Sequence, residues 1–122
     1  FLGYHFERGH RWPRKKSLKK LKDRLRELTK RTNGQSLNEI IRQINRTLEG
    51  WFEYFKHSNK WTFPTLDSWL RMRLRSILRK RRGGKGRGHG SDHQRWPNAY
   101  FESRGLFNLS TAHAKLCQSS QR

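Results

Sequence analysis

Residues 36–55 read SLNEIIRQINRTLEGWFEYF, and their spacing decides the fold. Leu37, Ile41, Ile44, Leu48, Trp51 and Phe55 follow one another at steps of four or three, which places six large apolar groups on one stripe of a helix. Ser36, with Glu39 three residues later, is a capping-box start that satisfies two backbone donors at the helix N-terminus. Ile40, Phe52 and Tyr54 widen the apolar face, so the helix is expected to pack against more than one partner. Arg42 and Arg46 nearly balance Glu39, Glu49 and Glu53. A near-neutral, apolar helix in an otherwise basic chain reads as the core of a small bundle.

Working outward, both flanks are strongly basic. Residues 13–31 carry a helical stripe of Leu18, Leu21, Leu25 and Leu28, with Ser17 as the expected N-cap. Asn33-Gly34 is expected to end that helix in a left-handed stop. After a polar loop over 57–63, Pro64 and Thr65 open a third helix, with Leu66, Leu70, Leu74, Ile77 and Leu78 facing inward and Trp69 flanking. Proline is tolerated in a first turn, and Asp67 suits the positive end of the helix dipole. From Arg71 to Arg87 there are nine basic residues and no acid, a phosphate-tracking pattern rather than a surface of paired charges.

The ends are less regular. Residues 1–12, FLGYHFERGHRW, alternate imperfectly around a Gly9 turn and read as a strand or the first arm of a hairpin, its sheet partners lying upstream. Residues 83–90, GGKGRGHG, read as a flexible basic linker. Beyond it lie a short segment around Ala99, Tyr100 and Phe101, a break at Gly105, and a last helix capped by Asn108 or Ser110 with Leu109, Ala112 and Leu116 on its apolar side.

Lys and Arg number 29 against nine Asp and Glu in 122 residues, giving +20 and a pI near 11.5. Self-repulsion of that size opposes compaction, so a polyanion is the expected partner and a membrane surface the weaker alternative. No apolar run is long enough for a transmembrane helix, and no signal peptide is visible. A single cysteine, Cys117, excludes an internal disulfide and fits a reducing compartment. The only methionine is Met72, so the chain reads as a piece of a longer or processed protein.

FLGY, SLKKLKDRLRELT, SLNEIIRQINRTLEGWFEYF and LDSWLRMRLRSILRKR together resemble the maturase-specific region of group II intron-encoded proteins. The resemblance covers residues 1–82, with the GW-x-x-YF element at Gly50, Trp51, Tyr54 and Phe55. The tail QRWPNAYFESRGLFNLSTAHA resembles the C-terminal ends of bacterial members less specifically. The resemblance implies that residues 1–12 close a reverse transcriptase palm. It further implies that residues 13–82 form a three-helix thumb (domain X) that grips intron RNA; composition and pattern place a linker over 83–95 and short helices over 96–122 after it. The expected class is mainly α, with a short strand or hairpin in front. A bacterial cytoplasm or an organelle is the implied location. The parent polymerase would need Mg, but the paired aspartates of its YADD-like motif do not occur here, so this stretch is expected to bind no cofactor and catalyse nothing itself.

Arg11, Arg14, Lys15, Lys16, Lys19 and Lys22 are the expected phosphate contacts on the first helix side. Arg71, Arg75, Arg79 and Arg82, which share a face of the third helix, serve on the other, with Lys85 and Arg87 in the linker. Trp12 and Trp61, with Trp96, are the exposed aromatics suited to stacking unpaired bases, or else to packing. Leu21, Leu25, Ile41, Ile44, Leu48, Trp51, Phe55, Leu70, Leu74 and Ile77 are the expected core. His89, His93, His113 and Cys117 have ligand-like spacing but no paired C-x₂-C, so solvated histidines are the simpler reading and no metal site is expected. GKGRGHG lacks the G-K-[ST] of a P-loop. The partners that follow are intron or other structured RNA, an RNA/DNA hybrid in a primer–template grip, and the upstream palm. Rival readings are a metal-dependent nuclease tail and a structural basic protein such as one bound to ribosomes.

Overall fold

The computed structural model describes residues 3–86 and 90–120. Phe1, Leu2, Arg87 and His89, named above, lie outside them. A two-stranded antiparallel hairpin, β1 (Tyr4–Glu7) and β2 (His10–Pro13), precedes three long helices, α1 (Lys15–Leu28), α2 (Leu37–Phe55) and α3 (Thr62–Arg81). Three shorter helices follow: α4 (Asp92–Arg95), α5 (Asn98–Ser103) and α6 (Leu109–Ser120). No described helix is long and apolar enough to cross a membrane.

Both arms of the hairpin lie within the chain, in the register Tyr4 to Pro13 and Glu7 to His10. Arg8 (φ 51°) and Gly9 (φ 78°) both adopt positive φ, as a two-residue turn matched to strand twist requires. A lone ribbon is marginal, and this one is fastened at three points. The Arg14 N–H donates to the Gly3 carbonyl (2.7 Å), the Asn59 N–H to the Arg11 carbonyl (2.7 Å), and the Tyr4 hydroxyl to the Tyr54 carbonyl (2.9 Å). Gly3 (φ 83°) comes so close to α2 that a Cβ there would lie 3.0 Å from the Phe55 ring.

The capping of α2 follows its sequence: Ser36 Oγ accepts the Glu39 N–H at 3.2 Å. The ends of α1 and the start of α3 differ from expectation. Ser17 lies inside α1, whose N-cap is Arg14 without a side-chain bond. Thr29 closes α1 in an ordinary conformation, and neither Asn33 nor Gly34 is left-handed. Instead the Asn33 side-chain amide donates back to the Leu28 carbonyl (2.9 Å), satisfying one of the helix's terminal carbonyls without a left-handed residue. α3 begins at Thr62, earlier than Pro64, so the proline sits in the first turn, where its missing N–H is harmless.

One core joins all three long helices to the tail. Leu21, Leu25, Ile41, Ile44, Leu48, Leu70, Leu74 and Ile77 are buried in it together with Phe63, Trp96, Phe101 and Leu109, while Phe55 is buried where the hairpin rests on α2. Trp51 departs from the expected core set. It is half-buried at the edge, stacked on Phe55 with ring centroids 4.8 Å apart. Trp96 is buried rather than exposed, because the tail folds back on α3. Asn45 on α2 pins that return by acting as a peptide surrogate, donating to the Gly105 carbonyl (2.8 Å) and accepting the Phe107 N–H (2.8 Å).

Candidate nucleic-acid interface

α1 and α3 meet along a seam whose centre is Trp69. Three cations gather around its ring: Lys22 Nζ at 5.3 Å, Arg26 Cζ at 5.4 Å and Arg73 Cζ at 5.6 Å from the centroid. Arg73 reaches across to the end of α1. Its Nε donates to Thr29 Oγ1 (2.7 Å), and its terminal nitrogen to the carbonyls of Arg26 and Thr29 (3.4 Å each). These acceptors are neutral, although they lie at the negative end of the α1 dipole. Burial, followed by repulsion from Arg26 and Arg31, pushes the Arg73 guanidinium below its ordinary pKa.

The seam opens into two adjoining cavities of about 460 and 470 Å³, which share Arg31 and Arg73; the second adds Lys30, Lys80 and Lys85. No carboxylate lines either one. Arg26 pairs with Asp23 (2.8 Å) and Lys30 with Glu27 (3.2 Å), but on exposed α1 surface, where ion pairs contribute little.

On the opposite face of α3, Arg75 and Arg79 are taken up by acceptors of the tail and linker. Arg75 is 3% exposed, donating from Nε to the Trp96 carbonyl (2.8 Å) and from its terminal nitrogen to Asn98 Oδ1 (2.9 Å), with its guanidinium over the Phe101 ring. Burial lowers its pKa, Arg71 adds to that, and Asp92 opposes it. Arg79 donates to the Lys85 carbonyl (2.7 Å) and pairs with buried Asp92 (2.9 Å). Arg75 and Arg79 therefore do not form the exposed phosphate face expected of the 71/75/79/82 stripe, because the tail covers it. Arg71 is half-buried, with one nitrogen 3.4 Å from Ser68 Oγ, and Arg82 alone of the four is exposed.

Asp67 also turns inward. It accepts the backbone N–H groups of Leu109 and Ser110 (3.0 Å each) and the Ser110 hydroxyl (2.7 Å), so it caps α6 rather than its own helix. Asn108 supplies a further cap, accepting the Thr111 N–H at 2.8 Å.

On α1, Arg14, Lys15, Lys16 and Lys19 are exposed, and Lys22 is half-buried over Trp69. Arg14 donates to the Tyr4 carbonyl (3.0 Å), while Lys19 pairs with Asp23 (2.7 Å) and its hydrogen bond holds that carboxylate below its usual pKa. Arg11 lies against Tyr4 and Phe6. Lys85 is exposed at the mouth of the seam. Trp12 is half-buried and Trp61 is 64% exposed. Of the tail histidines, His93 is exposed in α4, whereas His113 packs on Phe63 (centroids 4.8 Å apart) with Cys117 Sγ 3.7 Å from its Nε2. No cluster of three or more His, Cys, Asp or Glu suited to a metal forms among the described residues.

Residues 18–96, more than half the chain, match the family model of the group II intron, maturase-specific domain. The chain belongs to this family. Comparison with curated protein sequences finds no match. The maturase-specific domain serves maturase function in splicing and is a non-catalytic region of the proteins that carry it. Its matched span takes in most of α1 and all of α2, α3 and α4, and stops at Trp96, the residue whose carbonyl holds Arg75.

Reading the sequence alone missed Arg26, Arg73 and Trp69 as one cluster, and Asp67 as a cap. Signals for both were present. Trp69 and Arg73 are four apart on one helix, and Asp67 interrupts the apolar series Phe63, Leu70, Leu74, where an acid implies a buried donor.

Proposed function

We propose that this maturase-specific domain binds structured intron RNA by laying the phosphate backbone along the α1–α3 seam. One observation carries the reading. Arg26, Arg31, Arg73, Lys30, Lys80 and Lys85 converge on a cleft with no carboxylate in its lining, and Arg73 is held there against two like charges. Cations so arranged are stabilised by an anion, and a chain of phosphates is the anion that matches an extended row of them. α3, with 20 residues, supports a track roughly 30 Å long. α2 sets the separation of the two walls, and the splicing chemistry stays with the RNA.

The test is a salt titration of RNA binding to the whole chain. Six to ten phosphate contacts give a log–log slope of roughly −5 to −9. Replacing Lys80 and Lys85 together by Ala, both exposed, should make it shallower by about 2. A slope near zero, or one that these substitutions leave unchanged, would refute the seam as the binding surface.

A further inference from the structure

Trp12 and Trp61 come from distant parts of the sequence, yet they line one cleft between the hairpin, the start of α1 and the start of α3. Its volume is about 420 Å³, within the ~300–1,000 Å³ of small-ligand sites. Pro13, Leu18 and Leu66 provide apolar walls, while Lys15 and Lys22 stand at its edge. The same two indoles also line a second cavity, about 590 Å³, together with Arg8, His10 and Lys60. Lys60 Nζ lies 5.2 Å from the Trp61 centroid. Glu7 borders both cavities, and its carboxylate approaches His5 at 4.0 Å.

Resting on the RNA-binding reading above, we infer that this cleft receives a single unpaired nucleotide of the bound RNA, guanosine in preference to the others. An aromatic floor with cations lining both cavities suits a flat base carrying a phosphate. Apolar polypeptide would leave Lys15, Lys22, Arg8 and Lys60 without counter-charge, and a paired base cannot enter. Stacking on aromatic side chains is tolerant of base identity, so Glu7 supplies the choice. An ionised carboxylate only accepts hydrogen bonds. Guanine offers it two adjacent donors, N1–H and the 2-amino group, where adenine, cytosine and uracil each present one donor group beside an acceptor. Lys22 lines this cleft and also lies over Trp69, which lines the seam, so a strand bound in the seam has the cleft within reach.

The experiment measures fluorescence anisotropy of labelled RNA hairpins with the whole 122-residue chain at ~150 mM salt. One hairpin carries a bulged guanosine, one a bulged adenosine, one a bulged abasic site, and one is fully paired. The bulged-guanosine hairpin should bind roughly tenfold tighter than the paired or abasic ones. Trp61→Ala should bring that ratio close to one, Trp61→Phe should retain most of it, and Glu7→Gln should erase the preference for guanosine over adenosine. Trp61 is largely exposed, so its loss does not threaten the fold. Equal binding of bulged and paired hairpins by the unaltered chain, or a ratio untouched by Trp61→Ala, overturns the inference while leaving the seam standing. Failure to bind any of the four removes the RNA-binding reading itself.

Discussion

α3 carries arginines on two faces, and the two faces use them in opposite ways. Toward the tail, Arg75 and Arg79 are consumed: carbonyls, an amide oxygen and a buried carboxylate take up their donors. Toward α1, Arg73 leans on neutral carbonyls and a hydroxyl beside other cations. The same residue type is therefore architecture on one side and unspent electrostatic potential on the other. Charge density along a basic helix does not mark a binding surface by itself; the acceptors facing each guanidinium do.

If that contrast holds, the largest stability loss belongs to Arg75. Arg75→Ala leaves the Trp96 carbonyl and Asn98 without their charged donor and should cost about 3 kcal/mol in urea unfolding. A loss no greater than that of Arg73→Lys would erase the distinction between the faces. Asp67→Ala comes next at about 2 kcal/mol, since α6 loses its cap. Hydrogen exchange should show Leu109 and Ser110 amides losing protection before those of α1. Arg73→Lys keeps the charge but not the fork across to Thr29 and Arg26, costing about 1 kcal/mol. Its larger signature is a several-fold drop in RNA affinity, which Arg75 cannot produce without unfolding.

The smallest effect is one of pH. Burial against Phe63, then repulsion from His57, holds His113 below its ordinary pKa. The unfolded chain therefore takes up this proton first, and stability falls as pH drops through about 6.5 toward the lower folded value. Acid should loosen α6 and leave the α1–α3 seam unaltered, and His113→Phe should flatten the dependence in pH-resolved thermal melts.

What could be read from the residues alone follows the same division. α2 was legible because its information is local: a cap at Ser36 and an apolar stripe from Leu37 to Phe55 specify it without reference to the rest of the chain. α3 was legible as a helix but not as a surface. It is packed on both sides, so its buried residues are not one stripe, and inward Arg75 reads identically to outward Arg82. The partner that distinguishes them, the Trp96 carbonyl, lies 21 positions away and is a backbone group that no motif announces. Trp12 and Trp61 were visible as stacking residues, but their shared cleft required the Asn59–Arg11 bond that joins the hairpin to the α2–α3 corner.

Gly3 bears on that geometry from an unexpected quarter. With φ at 83° and the Phe55 ring 3.0 Å from where a Cβ would stand, it is a joint with zero clearance. A methyl group there would act as a wedge, tilting the ribbon off its aromatic shelf and carrying Trp12 with it. The gape between the two indoles is thus governed by a position with no side chain at all.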